Sequence, residues 1–103
     1  MDYQTTRLNV IDWANERNLI YPANLQAQMC KVVEEVGELA AAILKRRDSD
    51  IRDAIGDVMV TICILAEQLD VDELQCFEDA YNVIKERTGK TINGTFVKDN
   101  EPH

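Results

Sequence analysis

Histidine is almost absent from this chain, because its one copy, His103, is the last residue. Terminal residues are rarely held in place, so we expect no histidine in a catalytic site. Mechanisms of the Ser-His-Asp and Cys-His types both require a histidine base. The sequence therefore argues against both classes of enzyme.

Cysteine is scarce as well, with three copies at positions 30, 63 and 76. An odd number of cysteines without close pairs argues against a disulfide framework and against a zinc site. We interpret them as small apolar residues of a core or an interface.

Positive charge is in short supply, since 11 Lys and Arg stand against 19 Asp and Glu and the net charge is −8. The chain has no basic stripe, which argues against duplex nucleic acid and anionic membranes as partners. A polyphosphate substrate would be repelled unless metal cations lay between it and the protein.

Long apolar runs are missing too, so the sequence predicts no transmembrane helix. Residues 1–20 lack the basic start and apolar run of a signal peptide, and a cytoplasmic location is the default expectation.

Hydrophobic residues make up 46% of the chain and charged residues 29%, which is typical of a globular domain. Apolar periodicity predicts four helices, at about residues 6–17, 24–47, 51–69 and 72–88. Asn24, either Ser49 or Asp50, and Asp72 are the expected N-caps of the last three. We therefore predict one all-α domain over residues 1–103, an antiparallel bundle of about four helices that oligomerises. The tail, residues 89–103, contains an Asn-Gly turn signal and forms either a hairpin or an extended arm.

The second predicted helix has an apolar stripe centred near Val36, which we expect to be its core face. On its other side, Glu34, Glu35 and Glu38 fall within about 100° of one another. Carboxylates this close repel each other, and a solvated helix face is their common setting.

The third predicted helix is apolar nearly all round. Its expected core stripe includes Ile55 and Ile62, yet the opposite side carries Val60 and Ile64 beside Asp53 and Asp57. One layer of four helices cannot cover both sides of such a helix, so a partner chain is expected to cover one.

A short connection makes the second and third helices antiparallel neighbours, so Glu35 and Glu38 can face Asp53 and Asp57. Buried carboxylates without partners are costly, and an oxygen-rich crevice suits Mg²⁺ or Mn²⁺. Neutralisation of the cluster by Lys and Arg side chains is the alternative. The basic residues near the end of the fourth helix either complement the helix dipole or reach phosphates.

Three segments, "KVVEEVGELAAAI", "DAIGDVMVTICILAEQL" and "AYNVIKERTGK", resemble the MazG-like members of the all-α nucleotide pyrophosphohydrolase superfamily, most closely the small single-domain phage and bacterial type. The resemblance covers about residues 25–97. The family pattern is Glu-Glu-x-x-Glu, a gap, then Glu-x-x-Asp. Glu34, Glu35 and Glu38 match its first part and Asp57 its last position.

One position departs from that pattern, because Ala54 stands where the family has the Glu of Glu-x-x-Asp. Asp53 lies one residue earlier and about 40° from Asp57 on the helix, so it can take over the role. The departure leaves the number of metal ions open.

The resemblance implies Mg²⁺-dependent hydrolysis of a nucleoside triphosphate to a monophosphate and pyrophosphate, by a homodimer or homotetramer. It implies metal binding by Glu35, Glu38, Asp57 and Asp53, with Glu34 supporting the site. Asn82 and Lys85, and then Arg87, match positions that the family uses towards substrate. Trp13 is a candidate for stacking on the base, with simple core packing as its alternative.

Two other functions stay open. A non-catalytic helical module would use its glutamates to bind a basic partner, in a regulatory role. A relative of the enzymes altered at Ala54 would bind a different phosphorylated ligand.

Overall fold

A computed structural model describes residues 1–99, and these form four helices followed by a two-stranded hairpin. The helices are α1 (Tyr3–Glu16), α2 (Leu25–Leu44), α3 (Asp48–Gln68) and α4 (Glu73–Ile84), and the strands are β1 (Gly89–Ile92) and β2 (Thr95–Lys98). The predicted all-α class is confirmed. Predictions for positions 100–103, including His103, lie outside the described residues. No helix in residues 1–99 is both long enough and apolar enough to cross a membrane.

The chain divides into two compact units, Met1–Glu73 and Leu74–His103. The first contains α1, α2 and α3, and the second contains most of α4 and the hairpin. That all 103 residues form one domain stays a prediction.

In the first unit, α2 and α3 run antiparallel. Gln28, near the start of α2, donates from Nε2 to the carbonyl of Thr61, in the second half of α3, over 2.9 Å. The small core lies where α1 meets α3, around Ala14, Ile20 and Ile64. Ile20 is 1% exposed, so its truncation to alanine removes packing worth about 2–5 kcal/mol.

The face of α2 that is buried in this chain differs from the prediction. Val32, Glu35 and Ala42 are buried, whereas Val36, the predicted centre of the core stripe, is 47% exposed. On α3, Ile64 is buried and Ile55 and Ile62 are exposed. The predicted core faces are therefore wrong for a single chain. The faces through which α2 and α3 pack against each other carry both apolar and polar residues.

Buried charge joins α1 to the segment that follows α3. Arg7 is buried, and its Nε lies 2.8 Å from Oε2 of Glu73 and 3.3 Å from Oδ1 of Asp72. Its Nη2 lies 3.5 Å from Oε2 of Glu67. Cys63 packs beside this cluster, and burial first and the Glu73 carboxylate second raise its pKa to about 12. Cys63 is therefore a neutral core thiol, whereas Cys30 and Cys76 are exposed free thiols.

Helix ends account for most of the local backbone geometry. Asn24 caps α2 as predicted, with its side chain accepting from the backbone of Ala27 at 3.0 Å. The predicted cap of α3 is wrong, because the N-cap is Arg47, which makes no side-chain capping bond.

The α1 helix begins at Tyr3, earlier than predicted, because the side chain of Asp2 accepts a hydrogen bond from the backbone N–H of Thr5. The α4 helix ends at Ile84, where its bonds give way to shorter turns.

The short connection of α2 to α3 is a Schellman motif. Arg46 has φ of 53°, its N–H bonds the carbonyl of Ile43, and the N–H of Arg47 bonds the carbonyl of Ala42 over 3.2 Å. The 6→1 and 5→2 bonds satisfy the last carbonyls of α2, and the left-handed residue reverses the chain.

The tail forms the hairpin alternative. Gly89 to Ile92 pair antiparallel with Lys98 to Thr95, and Asn93 and Gly94 both have positive φ, as the tight Asn-Gly turn requires. A Cβ at Gly89 would collide with the carbonyl of Val97, which explains a glycine at the start of β1.

Arg46→Gly is expected to stabilise the protein by about 1 kcal/mol, because glycine adopts the left-handed conformation without a Cβ penalty. Thermal or urea unfolding followed by circular dichroism measures the change. Arg46→Ala removes the same charge but keeps a Cβ, so it should gain much less. Equal stability of the two variants would contradict a conformational origin.

Candidate metal and substrate site

Three glutamates of α2 bring their carboxylates together, as the sequence predicts. One oxygen from each of Glu34, Glu35 and Glu38 lies within 4.8 Å of the others. Glu34 and Glu38 are exposed, whereas Glu35 is only 8% exposed because it lies on the face that packs against α3. The helix therefore directs one glutamate inward and keeps two beside it at the surface.

One oxygen of Glu35 lacks the partner that a buried carboxylate needs. Its Oε2 atom is buried and has no hydrogen-bond partner. Burial raises the pKa of Glu35, and the hydrogen bond and charge of Glu38 and the charge of Asp57 raise it further. Ionised carboxylates are acceptors only, so the pair of Glu35 and Glu38 is satisfied either by a shared proton or by a cation.

Lys31 is the nearest cation to this cluster. Its Nζ atom lies 3.3 Å from Oε1 of Glu34 and 3.8 Å from Oε1 of Glu35. Neutralisation by a basic side chain is thus present in part. It is incomplete, because Lys31 lowers the pKa of Glu35 less than burial and the neighbouring carboxylates raise it.

Predicted carboxylates of both helices line one acidic crevice of about 300 Å³, although the close group of carboxylate oxygens found among the described residues contains the glutamates and not Asp53 or Asp57. The residues that line this acidic crevice are Glu38, Ala41, Ala42, Arg47, Asp50, Asp53, Ala54 and Asp57. Glu38, Asp53 and Asp57 therefore share one space. Ala54, at the departing position, is 5% exposed and contributes only a methyl group to the wall.

A second cavity, the Trp13 groove, has a volume of about 520 Å³. It is lined by Trp13, Asn18, Leu19, Pro22, Asn24, Ala27, Gln28, Lys31, Glu35, Asp57, Val60, Thr61, Ile64 and Gln68. Trp13 is 45% exposed, so packing into the core does not explain it fully. The guanidinium of Arg17 lies 4.3 Å from its ring centroid. Asp57 lines both cavities, so its carboxylate lies where the Trp13 groove adjoins the acidic crevice.

The remaining candidates belong to the second unit. Asn82 lies on α4 and Lys85 and Arg87 lie in the turns after it, all three exposed. The ammonium of Lys85 is 6.0 Å from the ring centroid of Tyr81. Their role towards substrate stays a prediction.

Carboxylate oxygens are the ligands that Mg²⁺ and Mn²⁺ prefer, and Mg²⁺ also keeps waters and binds phosphate oxygens. Glu34, Glu35, Glu38 and Asp57 offer such oxygens, and the orphaned Oε2 of Glu35 fits a hard cation. Within the described part of the chain, the residues that line the two cavities include no histidine or cysteine, which would favour softer metals.

Among the charged residues that line these cavities, sequence reasoning missed Lys31, Arg47 and Asp50. Lys31 precedes Glu34 and Glu35 by three and four positions, a spacing that places charged side chains in contact and could have revealed it. Asp50 precedes Ala54 by four positions and so shares its helix face. Arg47 gave no such signal, because its position depends on the Schellman motif.

Comparison with known proteins supports the resemblance. Residues 24–92, about two thirds of the chain, match the family described as the MazG nucleotide pyrophosphohydrolase domain. The chain is also similar to an uncharacterized 18.2 kDa protein in the rep-hol intergenic region of Haemophilus phage HP1 (strain HP1c1). The two are 38% identical over 73 residues, which cover 71% of this chain but 45% of the phage protein. No solved structure matches the chain significantly.

Glu35→Gln is expected to raise the melting temperature of the metal-free protein, because a neutral amide removes the repulsion from Glu38 and Asp57. A raised pKa in the folded state means that the wild type loses stability as pH rises above the ordinary range of glutamate. The advantage of the variant should therefore shrink at acid pH.

The same variant should lose the rise in melting temperature that MgCl₂ or MnCl₂ produces in the wild type. Asp12→Asn, which removes one negative charge at an exposed position of α1, is the control. A less stable Glu35→Gln protein at neutral pH, or one that metal still stabilises fully, would contradict the assignment of Glu35.

Proposed function

Since the chain belongs to the MazG nucleotide pyrophosphohydrolase family, we propose that it is a Mg²⁺-dependent hydrolase of nucleoside or deoxynucleoside triphosphates. The products are the monophosphate and pyrophosphate. The observation that carries this proposal is the buried, unpartnered Oε2 of Glu35 within a group of close carboxylates. The other buried glutamate among residues 1–99, Glu73, lies 2.8 Å from the guanidinium of Arg7, whereas the pKa of Glu35 is raised by burial and by the carboxylates beside it. A cation at Glu35 would offset that repulsion.

Glu35, Glu38 and Asp57 are assigned to the metal. Mg²⁺ supplies Lewis-acid polarisation of phosphate oxygens and a lowered pKa of bound water when it is present. Glu34 and Asp53 serve as further ligands or as bases that accept the proton of the attacking water. Water attacks the α-phosphorus in line, its oxygen forms the new P–O bond, and the bond to the α–β bridging oxygen breaks.

The nucleoside is assigned to the Trp13 groove, where the half-exposed indole offers a stacking surface for a base. Because the groove and the acidic crevice meet at Asp57, a nucleotide bound across them has its phosphates beside the carboxylates. Asn82, Lys85 and Arg87 are proposed to contact the substrate, on the strength of the resemblance alone. Mn²⁺ is a possible substitute for Mg²⁺.

The active form is proposed to be a homodimer or homotetramer. Support comes from α2, whose stripe of Met29, Val33 and Val36 is about half exposed in the single chain. Burying such a stripe against a second copy removes apolar surface from water. An isologous contact would use the same stripe on both copies.

We place the activity in the cytoplasm, in control of the nucleotide pool or removal of unwanted nucleotides. The chain spans less than half the length of its phage relative. A non-catalytic regulatory module, and an enzyme redirected by Ala54 to another phosphorylated ligand, are the rival functions.

Purified protein incubated with Mg²⁺ and a panel of NTPs and dNTPs should release monophosphate and pyrophosphate, resolved by chromatography. Asp57→Asn and Glu38→Gln should each lower turnover at least about 100-fold. Even the loss of a residue that only hydrogen-bonds to a metal ligand lowers metal affinity or activity about 10- to 100-fold. Asp12→Asn, which makes the same chemical change on exposed α1, should retain full turnover. Release of diphosphate and orthophosphate, or unchanged turnover in Asp57→Asn, would contradict the proposal.

Val33→Asp should shift the protein towards monomer, measured by sedimentation or light scattering across a concentration series. Val33 is 60% exposed in the single chain, so the change leaves its fold intact. Asn9→Asp adds the same charge to an exposed position on α1 and should leave the assembly unchanged. An unaltered mass for Val33→Asp would exclude this stripe from the interface.

A further inference from the structure

We propose that Arg47 binds the β- and γ-phosphates of the substrate, and therefore the leaving pyrophosphate, in the acidic crevice. This inference rests on the proposed function and assigns one end of the substrate to one cavity. Among the described residues that line this crevice, Arg47 is the one with a positive charge. A triphosphate entering a space with Glu38, Asp50, Asp53 and Asp57 needs positive charge besides the metal.

The backbone of Arg47 is fixed at the edge of the crevice. Its N–H is bonded to Ala42 in the Schellman motif, and its carbonyl accepts from the backbone of Ile51 at 2.9 Å. The residue thus ends one helix motif and begins the next. Its Cα is held in place while its side chain remains 53% exposed and able to turn.

The ion pair that Arg47 makes is readily exchanged. Its Nη1 atom lies 3.4 Å from Oδ2 of Asp50, whose side chain is 49% exposed. Exposed pairs of this kind contribute little to stability because water competes for both charges. A phosphate group offers the planar guanidinium a bidentate partner, which is a stronger interaction than one long contact with a carboxylate.

Ala54 leaves space in the acidic crevice and adds no negative charge to it. A glutamate at this position would fill part of the crevice and add a carboxylate for metal binding. The buried methyl of Ala54 does neither. Arg47 then supplies positive charge on the side of the site where this chain has lost a ligand for a cation.

The two cavities give the substrate a direction. Trp13 and Lys31 line one cavity, Arg47 lines the other, and Asp57 lines both. A nucleoside in the Trp13 groove and two phosphates in the acidic crevice leave the α-phosphorus beside Asp57. The bond between the α- and β-phosphates is then the one that lies at the carboxylates.

Calorimetric titration of inorganic pyrophosphate in the presence of Mg²⁺ tests this role directly. Arg47→Ala should weaken pyrophosphate binding about tenfold or more. Arg47→Lys keeps the charge but lacks the paired N–H donors of the guanidinium, so its affinity should be intermediate. Arg52→Ala removes an equal charge from an exposed α3 position outside both cavities and should match the wild type. Binding of a nucleoside monophosphate, which lacks the β- and γ-phosphates, should be unchanged in Arg47→Ala.

Titration with Mn²⁺ alone separates phosphate binding from support of the metal site. Arg47→Ala should bind Mn²⁺ as well as the wild type or more tightly, since a nearby positive charge is gone. Equal pyrophosphate affinity in Arg47→Ala and wild type overturns the inference, as does a loss of Mn²⁺ binding or a wild type that binds no pyrophosphate. Turnover of NTPs by the wild type is measured in a separate assay, which tests the proposed function by itself. Arg47-dependent pyrophosphate binding without turnover would refute the pyrophosphohydrolase while leaving the phosphate contact standing.

Discussion

The packing of α2 against α3 through a face that contains Glu35 is the constraint on which the site depends. Apolar residues on both sides of this glutamate, Val32 and Ala42, are buried with it. The helices cannot pack there without taking a carboxylate out of water. That loss of hydration and the repulsion from Glu38 and Asp57 oppose folding, and only part of them is offset by Lys31. Helix packing thus holds together a set of carboxylates that would separate in a flexible chain.

Rigid secondary structure supports every member of this set. The glutamates lie on a helix of 20 residues and the aspartates on one of 21. The Schellman motif between them fixes the antiparallel arrangement. A backbone that is ordered before a ligand binds reduces the entropy lost on binding, which favours affinity. The three glutamate carboxylates are brought together by α2 itself.

Much of this arrangement could be predicted from the sequence. The apolar periodicity predicts the four helices, the polar amide of Asn24 predicts a cap, and the Asn-Gly pair predicts a tight turn. Glu35 and Asp57 could be paired because a short connection forces antiparallel neighbours. The orientation of α2 could not be predicted, since an apolar stripe does not reveal whether it packs within its own chain. Arg47 could not be found either, because its place in the crevice depends on a left-handed residue at Arg46.

The single residue shared by the two cavities has a consequence for how such a site diversifies. Among residues 1–99, Asp57 alone lines both the Trp13 groove and the acidic crevice. Substitutions at Asn18, Leu19 or Gln68 alter the groove without touching the crevice wall. Under the proposed function, selection on the base and selection on the phosphate chain would therefore act on separate residues. A lineage with that function could then change its nucleoside preference in small steps, each of which leaves the residues of the acidic crevice unchanged.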